Sequence, residues 1–150
     1  MLAPGKSLPP SALWLGLAGL LPQTLCLVLV FDDQHRFSAL AAGWLYAALI
    51  FSFLGGVWWG LGVADERPPA WLFPIAVLPS LIAFASGIPW MIGTTWPGPS
   101  MLLLGAGLIL ALFVDRALFR RQIMSAAMFR LRILLSAGLG SLTLALGLLA

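Results

Sequence analysis

The sequence predicts an all-α integral membrane protein: a compact bundle of five transmembrane helices in one domain, residues 1–150, N-terminus inside and C-terminus outside. Three observations carry that reading. Hydrophobic residues make up 61% of the 150 positions and charged residues 9%, against roughly a quarter charged in soluble domains. Five stretches, residues 11–31, 37–63, 69–87, 99–119 and 131–149, approach or exceed the about 20 mostly apolar residues that a bilayer span needs. Of the eight Lys and Arg residues, seven (Lys6, Arg67, Arg116, Arg120, Arg121, Arg130 and Arg132) fall on one side of the membrane so defined, leaving Arg36 alone on the other. Basic residues in short loops stay cytoplasmic, which fixes the expected orientation. The net charge of +3 is then a topology signal, and no nucleic-acid partner is expected.

The first segment follows Lys6 like a secretory signal, but its apolar run is longer than a signal core and lacks a small-residue exit, so a retained helix is expected. Within it Pro22 has no N–H to give the carbonyl of Ala18, which leaves that acceptor open near mid-span beside Gln23 and Thr24. The only cysteine, Cys26, lies in the same segment, so an intrachain disulfide is excluded and redox chemistry is not expected. The loop that follows carries Asp32, Asp33, Gln34 and the sole histidine, His35. Two carboxylates and one imidazole form an incomplete coordination set, and a solvated turn is the expectation, with no metal site.

The second segment holds the string from Tyr46 to Gly60. At 100° per residue Ala48, Ser52, Gly55, Gly56 and Trp59 project within about a 100° arc, a stripe of small residues with an indole at its inner end. Such a stripe admits close helix packing, to which Gly56-x-x-x-Gly60 adds a contact motif; the alternative is a ligand groove. In the third segment Pro68, Pro69 and Pro74 occupy the first turn, whereas Pro79 frees the carbonyl of Ile75 near mid-span beside Ser80. The stretch 88–99, rich in Pro, Gly and Trp, is expected to lie irregularly on the outer surface.

Asp115 closes the fourth segment, with 116–128 expected as a helical extension before the chain re-enters at Leu131. Asp115 and Arg132 then share a depth, where an ion pair lowers the cost of either near hydrocarbon; the alternative is that each snorkels to water. The fifth segment offers Ser136, Gly138, Gly140, Ser141, Thr143 and Gly147 for another close contact. Trp14, Trp58, Trp59 and Trp71 are expected at the inner interface and Trp90 and Trp96 at the outer one, with Trp44 deeper in the bundle.

Taken together, the strings Leu15 to Pro22, Tyr46 to Gly60 and Leu78 to Leu81, with Asp115 and Leu131-Arg132, resemble the membrane family catalogued as domain of unknown function 3429, which includes transmembrane protein 69 of animals. The resemblance spans nearly the whole chain and implies a membrane location without an assigned activity. It also implies a departure: family members often carry His or Arg where this chain has Trp58, a substitution expected to remove a polar candidate.

No nucleophile and base fall together in the sequence, so no catalytic residue and no cofactor are expected. Ionisable groups are expected only near segment ends, and no internal repeat is evident, which argues against a transporter or channel. The expected function is that of a non-enzymatic accessory, assembly or homo-oligomeric subunit. Its partners would be the lipid bilayer and other membrane subunits or a second copy of itself, met through lateral helix contacts. The alternative is a binder of a small hydrophobic ligand, quinone- or lipid-like, at a midplane patch of Gln23, Thr24, Ser52, Gly55, Gly56, Trp59 and Ser80. With no transit-peptide composition at the N-terminus, the expected location is a bacterial inner membrane.

Overall fold

Apolar runs with few breakers give helices, and proline and glycine decide where those helices bend. The computed structural model describes residues 8–94 and 97–150; Lys6, Thr95 and Trp96 lie outside the described residues. It contains α1 (Pro10–Ala18), α2 (Leu21–Leu29), α3 (Arg36–Ala64), α4 (Leu72–Met91), α5 (Gly98–Arg120) and α6 (Ala126–Leu149). Five units, with Pro10–Leu29 counted as one, are long and apolar enough to cross a membrane. Large apolar side chains such as Leu15, Phe53, Phe84, Phe113 and Leu148 point outward, as a hydrocarbon solvent allows. The chain is a multi-pass membrane protein.

The first span is two helices. The ladder breaks at Gly19 and Leu20, where Leu20 N–H bonds the carbonyl of Leu17, and α2 restarts with Pro22 in its first turn. At the break the carbonyl of Gly19 accepts the phenol hydroxyl of Tyr46 on α3, which satisfies a backbone acceptor that lipid could not. The first half, α1, has no buried residue, whereas α2 buries Gln23 and Cys26.

α3 is the centre of the bundle and packs on α2, α4, α5 and α6. Its 29 residues reach about 43 Å, more than the roughly 30 Å hydrocarbon thickness, so it tilts or projects beyond it. α5 and α6 form the most extensive pair, built on two glycine meetings. A Cβ on Gly105 would stand 3.0 Å from the carbonyl oxygen of Gly140, and one on Gly147 would stand 3.1 Å from that of Gly98. The expected small-residue contact of the last helix is therefore with α5, at Gly140 and Gly147.

Three boundaries differ from the sequence expectation. α4 continues to Met91 with Pro89 inside it, so Trp90 is a helical residue, its ring set 5.5 Å edge-on to Trp44 and 5.9 Å from Phe37. The irregular outer loop shrinks accordingly. At its C-terminal end α5 closes in a Schellman motif: Gln122 N–H bonds Phe119 O, Ile123 N–H bonds Leu118 O, and Gln122 takes φ +61°, the left-handed position usually given to glycine. α6 then starts at Ala126, five residues before the expected re-entry, with Ser125 Oγ accepting from Met128 N–H at 3.2 Å. Arg132 is thus the seventh residue of a helix, about 9 Å from its start, and Asp115 lies a turn and a half inside α5. Both are within helices, each about one and a half turns from the helix end at the α5–α6 connection.

At the opposite end Arg36, the lone Lys or Arg there among the described residues, donates Nη1–H to Val30 O at 3.3 Å and Nη2–H to Leu149 O. It caps the C-terminal carbonyls of α2 and α6, where a cation also suits the helix dipole. In the preceding turn Asp32 accepts from Gln34 N–H at 3.0 Å and meets His35 Nδ1 at 2.8 Å. The His35 contact, helped by the Gln34 bond, holds the Asp32 carboxyl below its ordinary range. Among the described residues no three His, Cys, Asp or Glu side chains gather as a metal-binding group.

Candidate functional site

The polar chemistry of the membrane interior concentrates on one carboxylate. Asp115 is completely buried, and lipid or packed side chains cannot hydrate it, so every partner must come from the chain. α6 supplies Arg132, whose Nε–H is donated to Oδ2 at 3.1 Å, while Nη2 stands 3.0 Å from the same oxygen without an aligned N–H. α3 supplies Trp58, whose Nε1–H is donated to Oδ1 at 2.8 Å. Three helices thereby meet on one carboxyl group, each oxygen with its own donor. Trp58 is 3% exposed, so it is a core donor and not the interfacial anchor its position near the segment end suggests. Its indole N–H also answers the departure at this position: a hydrogen-bond donor toward Asp115 is present.

The seven residues of the expected midplane patch do not come together. Gln23 is fully buried, and its Nε2 donates to Thr143 Oγ1 on α6 at 2.9 Å, with that hydroxyl passing its own proton to Leu139 O at 2.7 Å. Thr24, one residue further round α2, is exposed and bonds back to Leu20 O. Ser52 and Ser80 pair at 2.8 Å between α3 and α4. These are two separate interhelical ties, α2 to α6 and α3 to α4, because Gln23 turns toward α6 and away from α3.

The small-residue stripe of α3 divides in the same way. Neighbouring residues project 100° apart on a helix, so Gly55 and Gly56 cannot face one partner. Gly55 meets α4, and a Cβ there would fall 2.2 Å from the carbonyl oxygen of Ala76. Gly56 and Gly60 are exposed, with nothing among the described residues within 4 Å of a Cβ at either. Trp59 is 47% exposed and lies edge-on to Phe73, ring centres 5.0 Å apart. The expectation that Gly56 packs within the bundle is therefore corrected: Gly55 does so, and Gly56 faces outward.

Residues 8–149 match the family described as Protein of unknown function (DUF3429). The chain belongs to the DUF3429 family. It is also 36% identical over 87 residues to Transmembrane protein 69 of Xenopus tropicalis, a match covering 53% of this chain and 33% of that protein. The chain thus spans about a third of the length of that relative. No solved structure matches it. In this DUF3429 chain the sequence motifs contain one member of the buried cluster that the residue-level reading took only for an interfacial anchor, Trp58. Its signal is helix phase: Leu54, Trp58 and Leu61 follow the buried side of α3, opposite the outward Gly56 and Gly60.

Proposed function

We propose that this DUF3429 protein is a non-enzymatic membrane subunit that works by lateral contact of α3 with another membrane helix, from a partner subunit or a second copy of itself. The observation that carries this reading is the outward notch at Gly56 and Gly60. On the lipid-facing side of α3 the outer half carries bulky Leu45, Leu49 and Phe53. One turn further in, the two glycines present bare backbone, and among the described residues nothing lies within 4 Å of a Cβ at either. Lipid chains gain little from such a notch, whereas a second helix can bring its backbone near, the basis of small-xxx-small association. Trp58 and Asp115 fix the rotation of α3 about its axis, and with it the direction in which the notch points.

Gly56→Leu fills the notch without touching the bundle. It should abolish self-association, or co-purification of a stoichiometric membrane partner, in mild detergent while leaving thermal unfolding of the protomer within about 0.5 kcal/mol. An unchanged oligomer and partner profile would refute the reading.

The proposal includes the orientation and location expected from charge, a bacterial inner membrane with the α5–α6 turn inside. Arg116, Arg120, Arg121 and Arg130 are all exposed around that turn, where retained basic residues belong. Reporter fusions at Gln122 and Ala150 should give opposite labels, internal and external; identical labels would overturn the topology.

A further inference from the structure

Four arginines at one turn have no counter-charge. Arg116, Arg120, Arg121 and Arg130 are exposed around the α5–α6 connection, and residues 116–130 contain no Asp or Glu. Asp115 is paired with Arg132, and Asp32, beside Asp33 at the opposite end of the bundle, is paired with His35. Asp65 and Glu66 lie in the α3–α4 loop with Arg67, and among the described residues neither forms an ion pair with any of the four. Residues 1–7, 95 and 96 hold no further acid, so the lack of a counter-charge at this turn holds for the whole chain.

Retention of a loop during insertion depends on how many basic residues it carries; it does not require them to share a face. Here three do. Phe113, Arg116 and Arg120 are spaced i, i+3, i+7 along one stripe of α5, and Phe113 is 72% exposed. On α6 the exposed Ile133 and Leu134 lie one turn deeper than Arg130. Phe119 and Phe129 join the two stripes, their rings stacked with centres 4.9 Å apart. Successive residues turn in mirror senses on antiparallel neighbours, so Arg120 and Arg130, each next after one ring of that stack, project to the same side of the hairpin. That side faces away from the bundle, about 140° round α5 from Asp115 and about 160° round α6 from Arg132. Guanidinium groups at the helix ends, with apolar side chains one to two turns deeper on the same face, follow the depth order of a phospholipid, phosphate and then acyl chain.

We infer that this face of the α5–α6 hairpin seats an anionic phospholipid, its phosphate held between Arg120 and Arg130 with Arg116 alongside and its acyl chains lying on Phe113, Ile133 and Leu134. Guanidinium forks match phosphate oxygens two by two. Each basic residue beside an anionic membrane surface contributes about fivefold to association. A zwitterionic head group would bring its own cation against three arginines, and a soluble anion would forgo the apolar face. The seat is independent of the α3 notch and of which face of the membrane the turn occupies.

The test is equilibrium binding of labelled dioleoyl-phosphatidylglycerol and dioleoyl-phosphatidylcholine to the full chain in dodecylmaltoside micelles. At 0.1 M NaCl the expected preference for phosphatidylglycerol is about tenfold or more, falling below about threefold at 1 M as the screening length contracts from about 10 to about 3 Å. Arg120→Gln combined with Arg130→Gln should bring the preference at 0.1 M below about threefold and leave the thermal midpoint unchanged, because no ion pair ties either side chain to the protein. Arg120→Lys combined with Arg130→Lys keeps both charges and should keep a preference that the glutamines lose. Inorganic phosphate at matched ionic strength should not displace the bound lipid. Equal binding of the two lipids at 0.1 M, an undiminished preference in the double glutamine variant, or displacement by inorganic phosphate would overturn the inference. The second result would place the anionic lipid elsewhere on the chain, and the third would assign the arginines to a soluble anion.

Discussion

Asp115→Ala should destabilise the protein by about 3 to 5 kcal/mol, and Arg132→Ala by a comparable amount, because each leaves the other member of a buried ion pair unmatched. Unfolding followed in mixed detergent micelles measures it. A lone charge within a membrane helix costs roughly 2.5 to 3.5 kcal/mol at mid-span and less toward the interface. The lower end of the range therefore applies where the survivor finds relief, as Arg132 does by extending its stem toward water. The double variant removes both charges, so it should cost less than the sum of the two singles. Trp58→Phe deletes the N–H donated to Oδ1 at 2.8 Å, a bond to a charged group worth about 1.5 to 3 kcal/mol, and adds the cost of the gap left where the smaller ring does not fill the core. In an Asp115→Ala background only the packing part of that cost should remain. Strictly additive effects at Asp115 and Arg132 would show that the two side chains act separately.

What the sequence can show follows from the range of the interaction concerned. Length and apolar content are local, so the five spans are legible, as is the shared depth of Asp115 and Arg132 across a short α5–α6 connection. Trp58 reaches Asp115 over 57 residues, and only the rotation of α3 against α5 makes that contact. The midplane patch fails for the same reason: equal depth does not establish equal direction, and Gln23 turns to Thr143 while Ser52 turns to Ser80. The early start of α6 depends on a non-glycine residue accepting positive φ at Gln122, which residue preferences weigh against. The glycine pairs of α5 and α6 carry a readable signal, since Gly98 and Gly105 are spaced by seven residues, as are Gly140 and Gly147. In an antiparallel hairpin that common spacing matches Gly98 to Gly147 and Gly105 to Gly140.

Gly55→Ala should be the most damaging single-methyl addition on α3, and Gly56→Ala one of the least, although the two residues are adjacent. At Gly55 the direction a Cβ would take is filled by a Cα hydrogen aimed at the carbonyl oxygen of Ala76, and the methyl carbon would lie 2.2 Å from that oxygen, with Pro79 Cγ at 3.4 Å. The obstacle is backbone, so no rotamer change relieves it; α3 and α4 must separate, which also strains the Ser52–Ser80 bond one turn away. Overpacking of a close core contact costs about 1 to 3 kcal/mol, and the rigid obstacle places Gly55→Ala at the upper end. At Gly56 the same methyl meets open space, and alanine is the better helix former by up to about 1 kcal/mol. The protomer, measured under conditions where it is monomeric, should therefore be unchanged or slightly more stable. A protomer hurt more by Gly56→Ala than by Gly55→Ala would reverse the assignment of inward and outward faces of α3, and with it both the α4 contact and the outward notch.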